Sequence, residues 1–185
     1  MNKYPLVAVC GKFQPFHLDH YKYVTAAFDV GDHVIIGITN PDPTHTKFEE
    51  ADPRRSTEEA NPFTYYERYL MVLRSLVDGK FDRSRFDIVP FPLNIPESWF
   101  YYIPKDAVFL ITLYDDDKWL EIRRKKMIDL GVHTEVLWSK PQKDLIGVNV
   151  RSLIRNNGDW QSHVPSGTKS VIEEFNLAKR LRGNL

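Results

Sequence analysis

Cysteine, long apolar runs and net charge are the features that this sequence has little of. Cys10 is the single cysteine among 185 residues, which excludes an internal disulfide and fits a reducing compartment. No apolar run approaches the ~20 residues that a membrane-spanning helix needs, and the polar first residues do not resemble a signal peptide. The 25 basic residues are balanced by 25 acidic ones, so no global field attracts nucleic acid or an anionic membrane. We therefore expect a cytoplasmic protein in which any anion-binding site is local.

Internal repeats and low-complexity segments are also absent, and apolar strand patterns alternate with helical patterns along the chain. Strands are predicted over residues 6–9, 33–39, 86–90, 107–113 and 134–138. Helices are predicted from His17 onward, over 64–77 with a capping box formed by Thr64 and Glu67, from the cap at 115–117 to Gly131, and over 148–156 and 166–181. This alternation predicts a Rossmann-like α/β fold, with a five-stranded parallel sheet and helices on both faces. We expect a single domain, 1–185, whose C-terminal helical tail covers 147–185.

One long connection, residues 40–62, has little apolar periodicity and several prolines. A loop of this length is uncommon in a compact domain unless it binds a ligand or acts as a lid. It follows a parallel strand, so we expect it at the carboxyl end of the sheet, where such folds bind ligands.

The segment from Gly11 to His20 joins the first strand to the first helix and carries two histidines three residues apart. If the helix begins near His17, then His17 and His20 share one face of its first turn. The unpaired backbone N–H groups and the positive end of the helix dipole lie beside them. Such a junction favours a phosphate.

This segment resembles the G-(R/K)-F-x-P-x-H-x-G-H signature of the nucleotidyltransferase superfamily, and the chain is most similar to the archaeal type of nicotinamide mononucleotide (NMN) adenylyltransferase. Members join a nucleoside monophosphate from an NTP to a second substrate and release pyrophosphate. Asp19 stands where the signature has glycine. The resemblance implies a catalytic role for His17, His20 and Lys12, and nucleotide binding by Gly11, Phe13 and Gln14. No third ligand is spaced for a protein-bound metal, so Mg²⁺ is expected to arrive with the NTP.

Two further segments carry the resemblance. Residues 61–68 are similar to the D-P-F-T-x-x-E-R segment of the archaeal enzymes, which implies that Arg68 meets the triphosphate. Residues 147–151 stand where the family has S-x-T-x-x-R, which implies nucleotide binding by Gly147, Asn149 and Arg151. Ile146 and Val148 replace the two hydroxyl residues of that motif, so two hydrogen bonds to the nucleotide are missing.

The acceptor side departs from the archaeal pattern. Trp99 matches a tryptophan that stacks on nicotinamide, but Pro96 replaces the asparagine that holds its carboxamide. Loss of that partner weakens the case for NMN as the acceptor, and Trp99 could equally be a core residue. Arg54 and Arg55 add cations in the long loop, which suits a smaller and more anionic acceptor.

We therefore expect a nucleotidyltransferase that uses Mg-NTP and a phosphate or phosphonate acceptor. Adenylyl transfer from ATP, as in the NMN enzymes, and cytidylyl transfer from CTP to a small phosphonate or phosphate both stay open. A nucleotide-binding protein with weak catalysis is an alternative of another class, because Asp19, Ile146 and Val148 all weaken the motifs. Neither nucleic acid nor a membrane is an expected partner, whereas a homo-oligomer is possible.

Overall fold

The computed structural model describes residues 3–46, 56–115 and 118–183. Its five strands are β1 (Tyr4–Gly11), β2 (Gly31–Thr39), β3 (Phe86–Phe91), β4 (Val108–Tyr114) and β5 (Thr134–Lys140). Its α-helices are α1 (Leu18–Ala27), α2 (Tyr65–Asp78), α3 (Lys118–Asp129), α4 (Gly147–Arg155), α5 (Ser166–Glu174) and α6 (Leu177–Leu181). Short 3-10 turns occur at Pro43–His45, Arg83–Arg85, Pro96–Tyr101 and Gln161–His163.

All strand pairs are parallel, and the strand order in the sheet is β3-β2-β1-β4-β5. The chain builds outward from β1 in one direction through β2 and β3, and then in the other direction through β4 and β5. The order therefore reverses between β1 and β4. In such sheets a crevice opens at this point, outside the carboxyl ends of the strands.

Alternate residues of β1 enter two different cores, which shows that helices cover both faces of the sheet. Val7 and Val9 belong to the larger cluster, which includes side chains of α1, α2, α4, α5 and α6. Ala8 and Cys10 belong to the smaller cluster, which includes Met127 of α3. The predicted α/β fold with a five-stranded parallel sheet is confirmed, and none of the described helices is long and apolar enough to span a membrane.

The predicted capping box of α2 is present: Thr64 accepts from the Glu67 N–H, and the Glu67 side chain accepts from the Thr64 N–H. The pattern over 166–181 is two helices rather than one, because Asn176 takes a left-handed conformation with φ of 53°. Glu67 also accepts from Arg180 of α6 at 2.7 Å. The C-terminal helices therefore pack into the larger core cluster.

Candidate active site

A cavity of about 630 Å³ lies at the carboxyl ends of β1 and β4. Residues of the loop after β1, the first turns of α1 and α4, and one side of α3 line it. The charged groups among the described lining residues, beside two histidines, are Lys12, Asp19, Arg123, Arg124, Lys143 and Arg151. The cavity therefore has a strong excess of positive charge in a chain with no net charge.

The loop after β1 is shaped by Phe13, which is fully buried and has a φ of 53°. The ring of Phe13 lies against Gly11, where an added Cβ would come within 2.4 Å of it. Phe13 also contacts Phe16 and His20 edge to face, each with ring centroids 5.1 Å apart. The Phe13 side chain therefore lies in the core against the His20 ring, and the contact of Phe13 with the nucleotide stays a prediction.

Gln14 anchors the same loop to the segment before α2. Its side-chain amide donates to the Phe63 carbonyl and accepts from the Phe63 N–H, both at 2.9 Å. The Gln14–Pro15 peptide bond is cis. Gln14 lines the cavity, but its side chain is engaged in these two hydrogen bonds. Its backbone carbonyl accepts a further hydrogen bond from Arg151.

The two histidines lie together on the first turn of α1, as predicted. His17 is the N-cap, and its Nδ1 accepts from the His20 N–H at 3.4 Å. The rings stack with centroids 3.6 Å apart. Since Nδ1 of His17 accepts, the proton of this imidazole belongs on Nε2 and can be donated to another group.

Burial keeps both imidazoles neutral at physiological pH. It lowers the pKa of His20 to about 3, against an opposing effect of the Pro15 carbonyl. Burial also lowers the pKa of His17 well below its usual value, and electrostatic interaction with His20, Lys143 and Arg151 acts in the same direction. Neutral imidazoles donate hydrogen bonds to phosphate oxygens without carrying a fixed charge.

The first turn of α4 meets the loop after β1 from the opposite side. An added Cβ at Gly147 would lie 2.8 Å from the Gln14 carbonyl oxygen, so only glycine allows this approach. The N-cap residue, Ile146, makes no side-chain capping bond. Amide N–H groups at such an end are available to an anion. Asn149 is exposed and does not line the cavity, which argues against the predicted contact of its side chain with the nucleotide.

Arg151 brings a nearly buried guanidinium to the junction of these two segments. One of its terminal nitrogens, Nη1, donates to the Gln14 carbonyl at 2.6 Å. Its Nε is buried and has no hydrogen-bond partner within the described ranges. Burial lowers the pKa of Arg151 to about 10, so the group stays charged at neutral pH. The structure thus brings His17, His20 and Arg151 to one cavity.

Asp19, which replaces the glycine of the signature, has a hydrogen-bond partner within the protein. Its Oδ2 accepts from the Leu145 N–H at 2.8 Å, so the carboxylate ties the first turn of α1 to the loop before α4. Within the described part of the chain, Asp19 is the single acidic residue that lines the cavity.

Arg68 does not lie in the cavity, although the sequence predicted a contact with the triphosphate. It is 1% exposed, and its five N–H donors reach five backbone carbonyls, at Lys12, Thr39, Asn40, Pro41 and Thr64. No donor is left for a nucleotide. We correct the prediction: Arg68 fastens the ends of β1 and β2 to the start of α2, beneath the site.

For Trp99 the sequence left a stacking role and a core role open, and the structure places the side chain in the core. It is 2% exposed, packs against Phe91, and donates its Nε1 hydrogen to the Leu93 carbonyl at 3.2 Å. It is therefore a core residue and cannot stack on a substrate ring. The other two predicted acceptor residues, Arg54 and Arg55, lie outside the described residues.

Three basic residues of the cavity were missed from the sequence. Arg123 and Arg124 come from the middle of α3, and Lys143 comes from the loop before α4, with its Nζ 5.3 Å from the centre of the Tyr114 ring. None of them belongs to a motif. The only available signal was that α3 follows β4, the strand next to β1, which places its basic residues near the reversal of strand order.

Comparison with known proteins is consistent with this geometry. The model of the family described as cytidylyltransferase-like matches residues 8–175. Phosphonoformate cytidylyltransferase of Streptomyces viridochromogenes is 40% identical over 172 residues, which are 93% of this chain and 92% of that protein. Nicotinamide-nucleotide adenylyltransferase of Methanococcus aeolicus is 26% identical over 183 residues, which are 94% of this chain and 91% of that protein.

Among solved structures, a bifunctional NMN adenylyltransferase/ADP ribose pyrophosphatase from Francisella tularensis, complexed with AMP and a manganese ion, superposes with a TM-score of 0.66. It is 15% identical, and the match covers 96% of this chain and 52% of that one. At this identity the likeness concerns the fold alone. The chain spans about half of that bifunctional protein.

Proposed function

The chain belongs to the cytidylyltransferase-like family and is a nucleotidyltransferase; from this starting point we propose that it transfers a cytidylyl group from Mg-CTP to a small phosphonate. An oxygen of the phosphonate attacks the α-phosphorus of CTP and forms the new P–O bond. The bond between the α-phosphorus and the oxygen that bridges to the β-phosphorus breaks, and pyrophosphate leaves with that electron pair. No covalent enzyme intermediate is required.

The residues that surround the cavity suit this displacement. His17 and His20 donate hydrogen bonds to the α-phosphate and the bridging oxygen as negative charge grows there. Arg151, Lys12 and the N-terminus of α4 hold the departing pyrophosphate. Cys10 is not a nucleophile, because burial raises its pKa to about 12.

Magnesium enters as part of the nucleotide substrate. Among residues 3–46, 56–115 and 118–183, no group of three His, Cys, Asp or Glu side chains could hold a metal ion. Mg²⁺ is commonly bound through substrate phosphates and few protein carboxylates, and the one acidic residue lining the described cavity wall already accepts a backbone N–H. The protein therefore supplies cations and donors around a metal that the triphosphate carries.

The observation that carries the choice of acceptor is the burial of Trp99. With this ring in the core and proline at position 96, these two positions supply neither the stacking surface nor the amide partner that the archaeal pattern gives to a nicotinamide. The cavity wall instead carries arginine and lysine, which suit a small anion. The 40% identity to a phosphonoformate cytidylyltransferase supports the same choice.

The test is pyrophosphate release from each of ATP, CTP, GTP and UTP, paired with phosphonoformate and with NMN. We expect turnover with CTP and phosphonoformate, and its loss in a His17→Ala variant that still binds CTP. Turnover with ATP and NMN alone would overturn the proposal in favour of adenylyl transfer. That alternative is kept because archaeal nicotinamide-nucleotide adenylyltransferases match nearly the whole chain.

A cytoplasmic location would suit an enzyme that draws on CTP, and a homo-oligomer is compatible with this activity. Both stay predictions. Size-exclusion chromatography with light scattering measures the oligomeric state directly.

A further inference from the structure

Helix α3 lines one part of the cavity, and the first turns of α4 line another part. Arg123 and Arg124 line the cavity from the middle turns of α3, together with Leu120. The neighbouring lining residues of β1 and β4 carry no charge, such as Ile111 and Thr112, whereas α1 contributes Asp19 and His20. The two arginines are therefore the charged groups that the described part of α3 presents to the cavity.

The cations of the cavity fall into two groups with different surroundings. Lys143 and Arg151 act on the imidazoles, because their charges help to lower the pKa of His17. The charge of Arg123 instead opposes the burial-raised pKa values of Cys10 and Tyr23. Arg123 therefore lies near Cys10 at the end of β1 and near Tyr23 of α1, on the side of the cavity that α3 lines.

Arg124 adds evidence that this wall awaits an acidic group. Its Nε is buried and has no hydrogen-bond partner in the part of the chain that the structure describes. A buried donor of this kind is usually paired, and an acidic acceptor bound in the cavity would supply the missing partner. A guanidinium presents a planar fork of donors that matches a carboxylate in shape and charge.

We propose that Arg123 and Arg124 form an acid-binding subsite, which holds a second anionic group of the acceptor while its phosphonate attacks the nucleotide. This inference rests on the proposed cytidylyl transfer and narrows its acceptor to phosphonates with an additional acid group, such as phosphonocarboxylates. The reaction at phosphorus is unchanged. The second acid stays bound to α3 and orients the attacking oxygen toward the α-phosphorus.

The test compares two acceptors that share the phosphonate and differ in the second acid: phosphonoformate and methylphosphonate. Wild-type enzyme should favour phosphonoformate by about 100-fold in kcat/KM, since hydrogen bonds between charged groups are each worth roughly tenfold or more. In the Arg123→Ala, Arg124→Ala double variant this preference should fall to within about threefold, while the KM for CTP changes less than about twofold. The Arg123→Lys variant, which keeps a positive charge, should retain more of the preference for phosphonoformate than the double alanine variant does.

Lys126→Ala is the matched control, because it removes one charge from the exposed side of the same helix and leaves the cavity lining intact. The Lys126→Ala variant should keep its turnover with phosphonoformate and with methylphosphonate. Circular dichroism of each variant checks that α3 is still folded, and the single Arg124→Ala variant replaces the double one if the latter unfolds.

Three results would overturn the subsite: no wild-type preference between the two acceptors, an equal loss for both in the arginine variants, or a loss confined to CTP binding or to CTP-over-UTP selection. Failure of the proposed function itself looks different, because then no phosphonate yields pyrophosphate with wild-type enzyme. In that event calorimetric titration with phosphonoformate still decides: binding that the arginine variants lose supports the subsite, and absence of binding to wild type contradicts it.

Discussion

Replacing Arg68 by lysine should destabilise the fold by about 2–4 kcal/mol and leave CTP binding nearly unchanged in the folded fraction. The guanidinium is buried and all five of its N–H donors reach backbone carbonyls, at distances from 2.7 to 3.3 Å. Lysine offers at most three donors. At least two carbonyls therefore lose their partner, and each buried unpaired acceptor costs about 1–3 kcal/mol.

Two unpaired carbonyls would together cost about 2–6 kcal/mol, and we expect the lower part of that range, about 2–4 kcal/mol, because burying the guanidinium is itself unfavourable. Burial lowers the pKa of Arg68 to about 10, so the wild-type contacts partly offset a desolvation cost. For a chain of this size, each kcal/mol shifts the melting temperature by about 2–4 °C. The expected fall is therefore about 5–15 °C.

Urea unfolding followed by far-UV circular dichroism measures the free energy, and CTP titration measures binding. Arg74→Lys is the matched control on the same helix, since Arg74 forms a surface ion pair with Glu174 and its replacement should cost less than about 1 kcal/mol. An R68K variant as stable as the wild type, with CTP affinity weakened by about tenfold or more, would refute this reasoning. It would restore the triphosphate contact that the sequence predicted.

Three further outcomes are expected. His17→Ala should lower kcat by ~100- to 1,000-fold with little loss of CTP affinity, because a preorganised donor acts mainly in the transition state; steady-state kinetics and a CTP titration separate the two effects. Asp19→Gly should weaken CTP binding by about fivefold, because the hydrogen bond to the Leu145 N–H is lost. Asp19→Asn should bind CTP more tightly than Asp19→Gly, because asparagine keeps an acceptor oxygen. Equal affinities of the two variants, measured by calorimetry, would contradict a role of this hydrogen bond in CTP binding. Unfolding free energy should decline as pH falls from about 6.5 to 5, because the folded-state pKa of His20, about 3, lies below its unfolded value and protonation favours the unfolded chain, by at most ~1.4 kcal/mol per pH unit. His20→Gln should flatten that decline in urea titrations at each pH, and an unaltered slope would rule out His20 as its source.

Local patterns were sufficient to predict the fold and to identify the histidine pair and Arg151, which meet at one cavity. The β-branched run before Thr39 and the capping box at Thr64 depend on neighbours in sequence. The histidine pair was predictable for the same reason, since helix geometry places residues 17 and 20 on one face. Arg151 followed from a motif position and the start of a helix.

Residues whose surroundings come from distant parts of the chain were not predictable. The environment of Arg68 is made by carbonyls at the ends of two strands, and that of Trp99 by Phe91 and Leu93. An arginine or a tryptophan in a motif looks the same whether it faces a ligand or the core. Arg123 and Arg124 were missed for the converse reason, because the strand order brings an ordinary helix to the cavity.

The loop that leads into the two histidines is held in place by hydrogen bonds to residues that come much later in the sequence. The Gln14 side chain donates to the Phe63 carbonyl, and the Gln14 carbonyl accepts from Arg151. The Phe16 carbonyl accepts from the Thr168 hydroxyl. During synthesis the ribosome releases the N-terminal residues first, so a growing chain holds the signature long before its supports exist. Nucleotide capture must then wait until the last helices have emerged, and a prematurely terminated chain would carry the whole motif without a working site.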